Sequence, residues 1–106
     1  MFLNRIFKGE EFTILFAENG VKAVELVKHH PEINLVLMDM KMPIMNGLEA
    51  TRLIKHQRPD LPVIAQTAFT SVEELEKAKA AGCDACITKP INKKDLFERI
   101  QELIRR

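Results

Sequence analysis

The chain has 106 residues, 46% of them hydrophobic, and a formal net charge of +1. That size and apolar content fit one folded domain and exclude a disordered chain. Balanced charge gives no support to a nucleic-acid binder, and no apolar run approaches the length of a transmembrane helix.

The N-terminus does not read as a signal peptide. Two cysteines without a secretion signal predict a reducing, cytoplasmic setting. Phe2, Leu3, Ile6 and Phe7 recur at helical spacing, and Gly9 stops that segment. Phe12 to Ala17 reads as a strand. Asn19-Gly20 opens a helix with Val21, Val24 and Val27 on one face, closed before Pro31. Ile33 to Met38 is a continuous apolar strand. Asn46, with Glu49 three positions on, starts a helix that runs through Leu48, Leu53 and Ile54 to Arg58-Pro59. Leu61 to Gln66 is the next strand. Ser71 and Glu74 open a helix that ends at Ala81-Gly82, and Ala85 to Ile87 is a short strand. Asn92 begins a last helix carrying Leu96, Ile100, Leu103 and Ile104. Nothing reads as a linker or repeat, so residues 1–106 are predicted to be a single domain. Alternating strands and helices predict an α/β fold, with a parallel sheet covered on both faces by right-handed crossovers.

Three of these strands end in chemically useful residues. Asp39 follows Met38, Thr67 follows Gln66, and Thr88-Lys89-Pro90 follows Ile87. Parallel strands place their carboxyl ends on one edge, where ligand crevices form. A carboxylate, a hydroxyl and an ammonium gathered there suit a phosphoryl group. Asp39 would be the nucleophile, with Thr67 and Lys89 as donors to its oxygens. Each residue also has a plainer reading: a turn aspartate, a strand-end threonine, a solvated lysine. Cys83-Asp84-Ala85-Cys86 spells Cys-x-x-Cys, but it enters a strand rather than opening a helix, which argues against a redox role. The histidines His29, His30 and His56 sit at helix ends, where imidazolium suits the dipole.

The run Asp39 to Gly47 with Met42-Pro43, then Thr67-Ala68, Ala81-Gly82 and Lys89-Pro90, resembles the response-regulator receiver domain over nearly the whole chain. The wording is most similar to receivers of hybrid sensor histidine kinases. The resemblance implies a flavodoxin-like doubly wound parallel sheet of order 2-1-3-4-5. It implies a two-component phosphorelay module that takes a phosphoryl group from a phosphohistidine onto Asp39. Thr67 and Lys89 would bind the phosphoryl oxygens, the Lys89-Pro90 bond would be cis, and Mg²⁺ would be held by Asp39 and the backbone carbonyl of Lys41. Partners would be a histidine kinase or phosphotransfer domain. Output, or a homodimer, would use the face of the last two helices and the strand between them. Such a domain is a phosphoacceptor, not an enzyme acting on an external substrate, and contacts neither nucleic acid nor membrane.

The chain departs from the family at its start. The family's first strand and the acidic cluster that follows it are missing, which leaves the Mg²⁺ site incomplete. A receiver-like docking module without phosphotransfer is therefore the alternative. Met1 is either an internal methionine of a longer protein or the start of a shortened chain. Glu18, ending the Phe12–Ala17 strand, would be a stand-in acid if the sheet closed over the gap. An aspartyl-phosphate phosphatase would need a second acid where Lys41 stands. Cys86 occupies the place of the family's usual aromatic ring. The missing strand is interior in the family order. Its neighbours Phe12–Ala17 and Ile33–Met38 must pair with each other, with upstream sequence, or with another chain. Marginal stability or self-association through an exposed strand edge is expected.

Overall fold

A computed structural model describes residues 2–7, 10–17, 20–39, 47–67, 72–88 and 92–104. Its strands are β1 (Phe2–Phe7), β2 (Glu10–Ala17), β3 (Ile33–Asp39), β4 (Val63–Thr67) and β5 (Ala85–Thr88). Its helices are α1 (Gly20–His29), α2 (Gly47–Gln57), α3 (Val72–Ala81) and α4 (Lys93–Ile104). The five strands form one sheet in the order β1-β2-β3-β4-β5. β2 to β5 are parallel and β1 is antiparallel to β2.

The sheet closes its own gap. β2 and β3 pair directly, with Leu15 opposite Val36, Phe16 opposite Leu37 and Ala17 opposite Met38. Their backbone groups are satisfied by each other, the first of the three outcomes open to them. The fit is imperfect at the strand starts. Thr13 stands opposite Ile33 and Ile14 opposite Leu35, so Asn34 is bulged out of the ladder. Its side chain repairs the break: Oδ1 accepts the Thr13 N–H at 2.7 Å.

The helix predicted over Phe2 to Phe7 is not formed. The segment is β1, running from Phe2 opposite Leu15 to Phe7 opposite Glu10 in unbroken register. Its apolar spacing suits a helix. An isolated six-residue helix, however, is too short to hold itself in water. Beside β2, by contrast, the backbone gains ladder hydrogen bonds. Pairing therefore overrode periodicity.

Because β2 to β5 follow one another across the sheet in chain order, right-handed crossovers carry α1, α2 and α3 to the same face. α1 packs on α2 and α2 on α3. Their core holds Leu15, Val36, Met38 and Val63 from the strands, with Val27 and Ile54 from α1 and α2. α4 turns back under the opposite face, where Leu96, Ile100 and Leu103 meet Ile14, Leu35, Leu37, Ile64 and Ile87. Helices thus cover both faces, three against one.

Local stops and ties set the geometry. α3 ends in a Schellman motif, with Gly82 N–H on Lys79 O and Cys83 N–H on Ala78 O, both at 3.0 Å. Gly82 has φ +111°, which favours glycine, and a Cβ there would lie 3.0 Å from Lys55 Cγ, so the Lys55 side chain would have to give way. Asn92 caps α4 through Oδ1 and the Lys94 N–H at 2.8 Å. Asp84 joins three elements. Its Oδ2 accepts from Lys55 Nζ of α2 at 2.8 Å and from the Val63 N–H of β4 at 2.9 Å. Its own N–H donates to Val63 O at 2.8 Å.

Asp84→Ala should lower stability by about 2–4 kcal/mol, since it strands a partly buried ammonium and the Val63 N–H together. Asp84→Asn keeps an acceptor oxygen and should cost less than half as much. Urea midpoints of the two variants, compared at unchanged m, check the order.

Candidate functional site

The parallel ladder fixes which residues reach the carboxyl edge. Asp39 is the last residue of β3 and stands opposite Gln66 of β4. Thr67 is the next residue and ends β4, opposite Thr88 of β5. Lys89 follows Thr88 in the chain. Both strand ends lie one residue beyond the runs read from sequence, so Asp39 and Thr67 are held by the ladder itself. Neighbouring strands are about 4.8 Å apart, which places the Asp39 and Thr67 backbones within a side chain's reach. Lys41, Lys89, Pro90 and Glu18 lie outside the described residues, as do Asn46 and Ser71, the expected helix caps.

The two described residues differ in surroundings. Asp39 is half-buried. Thr67 is 7% exposed, and its Oγ1 is buried with no hydrogen-bond partner among the described residues. A buried hydroxyl without a partner normally costs free energy. Such a group at a strand's carboxyl end is poised to donate to an incoming oxygen.

For Mg²⁺ the described donor set falls short. The ion commonly takes one or two carboxylates together with phosphate oxygens and water. Asp39 is one carboxylate. Among the described residues no group of three His, Cys, Asp or Glu side chains gathers to hold a metal.

A concavity of about 420 Å³ lies between α3, β5 and α4. Leu75 and Lys79 of α3, Cys86 of β5, and Arg99 and Leu103 of α4 line it, with Cys83 at its edge. Val72 is 73% exposed and Leu75 is also exposed, so α3 presents apolar side chains beside this cleft. The two cysteines are free thiols. Burial pushes the Cys83 thiol up to about 11, only partly offset by its hydrogen bond to Thr51 Oγ1 at 3.8 Å. Burial raises Cys86 as well. Raised thiols make poor nucleophiles, the reverse of what a redox pair needs. The histidines stay at the surface level of the fold: His30 Nδ1 meets Glu32 Oε2 at 3.3 Å between two exposed side chains.

Sequence reasoning missed the Asp84 junction. Lys55 and Asp84 are far apart in the chain and carry no local signature. The one available signal was Gly82 followed closely by an acid before a strand.

The described residues place Asp39 and the buried Thr67 hydroxyl at the carboxyl edge of a parallel α/β sheet, and comparison with known proteins identifies the family. The response regulator receiver domain model matches residues 1–101. The chain is 42% identical over 96 residues to the chemotaxis protein CheY of Halobacterium salinarum, covering 90% of this chain and 79% of that protein. It is 45% identical over 83 residues to the hybrid signal transduction histidine kinase G of Dictyostelium discoideum, covering 76% of this chain and 2% of that long protein. Among solved structures, the receiver domain of a sensor histidine kinase from Pseudomonas aeruginosa superposes with a TM-score of 0.75 at 28% identity. That match covers 85% of this chain and 75% of that one, and magnesium is coordinated in that protein's active-site cleft. This chain belongs to the response regulator receiver domain family, the receiver module of two-component signalling.

The raised Cys83 thiol predicts a pH dependence. Its proton is held more tightly in the folded chain than in the unfolded one, where a thiol titrates near ~8.5. Below that pH both states keep the proton and the stabilisation is complete. As pH rises from there toward about 11 the unfolded chain ionises first, so stability falls. Urea midpoints measured from about pH 8 to 10 should drop more steeply in the wild type than in Cys83→Ala.

Proposed function

We propose that this chain is a single phosphoacceptor receiver domain and that Asp39 is the acceptor. The observation that carries the reading is the register of Asp39 opposite Gln66, which brings the Asp39 and Thr67 backbones to one sheet edge, where the Thr67 hydroxyl is buried with no partner among the described residues. In the reaction a carboxylate oxygen of Asp39 forms the new bond to phosphorus. The bond from phosphorus to an imidazole nitrogen of the donor phosphohistidine breaks, and that nitrogen leaves with the electron pair and takes up a proton. Thr67 Oγ1 donates to one phosphoryl oxygen. Lys89 supplies the positive charge that offsets the phosphoryl group's negative charge. The donor is a histidine kinase or phosphotransfer domain, and the reaction is signalling rather than turnover of an external substrate. Mg²⁺ would join only with the phosphate's own oxygens, through Asp39 and the Lys41 carbonyl, and would screen the two anions. The cleft between α3 and α4, with Val72 and Leu75 beside it, supports partner docking or homodimerisation on that face. Among the described residues no helix is long and apolar enough to cross a membrane, which fits a cytoplasmic setting.

A second reading, docking without phosphotransfer, is favoured by the strand order. Ligand crevices in open α/β sheets form where neighbouring strands send their connections to opposite faces. Here β2 and β3 both turn to the face of α1 and α2. On this reading no crevice admits a phosphoryl donor, and Asp39 takes up no phosphate.

Incubation with acetyl phosphate and Mg²⁺, followed by intact-mass measurement, separates the readings. Phosphotransfer predicts one added phosphoryl group, lost in Asp39→Asn and reduced several-fold in Thr67→Val. The docking module predicts no added mass at any Mg²⁺ concentration.

A further inference from the structure

A concavity of about 420 Å³ also lies at the amino edge of the parallel strands, between the end of α2 and the start of β4. Asn34, Arg58, Pro59, Asp60, Leu61 and Pro62 line it. Its donors outnumber its free acceptors. Arg58 Nη2 donates to Ile33 O at 2.9 Å, which ties the guanidinium to the start of β3. Nη1 is buried and has no hydrogen-bond partner among the described residues. A buried donor left without an acceptor costs free energy, and more so on a charged group. Asn34 is the residue bulged out of the β2–β3 ladder. It meets the Thr13 N–H, a donor, so its oxygen must face that group and its N–H2 is left over. The surrounding backbone is already engaged. Leu61 N–H donates to Arg58 O, Pro62 O accepts from Val36 N–H, and the two prolines have no N–H. Glu32 does not relieve Nη1 either, since it meets His30 at 3.3 Å.

We propose that this concavity binds a small zwitterion of the amino-acid class. One carboxylate oxygen of the ligand accepts from Arg58 Nη1 and the other from the Asn34 amide, while its ammonium meets the Asp60 carboxylate. Charge selects this class. Arg58 and Asp60 are the only charged residues of the lining and cancel, so a neutral ligand with separated charges matches the site better than a bare anion does. Pro59, Leu61 and Pro62 supply apolar contact for the rest of the ligand, and the volume lies in the ordinary range for small-molecule sites, about 300–1,000 Å³. Pro59 and Asp60 are exposed turn residues, so a small outward movement of that turn uncovers Nη1. Asn34 and Asp39 stand near opposite ends of β3, which makes this site independent of phosphotransfer.

The test is a titration of the chain with glycine, L-alanine and L-leucine, each followed by NMR at the Asn34 amide and the Arg58 guanidinium. Acetate, methylamine and inorganic phosphate serve as probes that lack one of the two charges. At least one amino acid should give saturable shifts at both groups, and the three controls should bind about tenfold or more weakly. Asn34→Asp keeps the oxygen that Thr13 needs but replaces the N–H2 with a second oxygen, and should abolish binding with the melting curve little changed. Asp60→Asn, on the exposed turn, should remove the preference for an amino acid over acetate. No saturable shift at millimolar amino acid, binding that survives Asn34→Asp, or phosphate binding as tightly as the amino acids would overturn the proposal.

Discussion

Direct hydrogen bonding between β2 and β3 is the constraint on which the rest of this molecule depends. Both strands are apolar and both lie inside the sheet, so neither can leave its backbone groups dry and unpaired. Once they pair, the order of the parallel strands becomes the order of the chain. Right-handed crossovers then send α1, α2 and α3 to one face, and among the described residues α4 alone covers the other. β1 is left to flank β2 as an antiparallel strand, and the irregularity at Asn34 is the local cost of the junction.

The same pairing has two opposed effects on chemistry. It anchors Asp39 and Thr67 as ladder residues at one edge, since β3 is gripped on both sides. It also removes the reversal of strand order that opens a crevice at such an edge. Position and access are thus separable in this fold. The placement of the Asp39 carboxylate and the buried Thr67 hydroxyl depends on where the strands end. A phosphate's approach depends on which way the chain turns afterwards.

Much of this was legible in the sequence. The apolar runs Ile33–Met38 and Ala85–Ile87 marked strands, and Gly82 and Asn92 marked helix boundaries through a positive φ and a side-chain cap. Family membership was legible too, from the run around Asp39 and Met42-Pro43. Phe2–Phe7 was misread because apolar spacing describes a free segment, whereas β1 exists through its pairing with β2. The Lys55–Asp84–Val63 junction was not readable either. Its members are brought together by the crossover through α2 and by the tight end of α3, which carry no pairwise signal. The Cys-x-x-Cys leads into β5 after the end of α3 instead of opening a helix, and burial raises both thiols.

The pairing of β2 with β3 is open to direct measurement. NMR spectra of a mixed sample, half isotope-labelled and half unlabelled, distinguish contacts within one chain from contacts between chains. Direct closure predicts intrachain cross-strand NOEs joining Leu15 to Val36 and Phe16 to Leu37, the residues that stand opposite each other. The amides of both strands should also be among the slowest to exchange. Fast-exchanging amides in β2 with no such NOEs, or the same NOEs appearing only between chains, would contradict it.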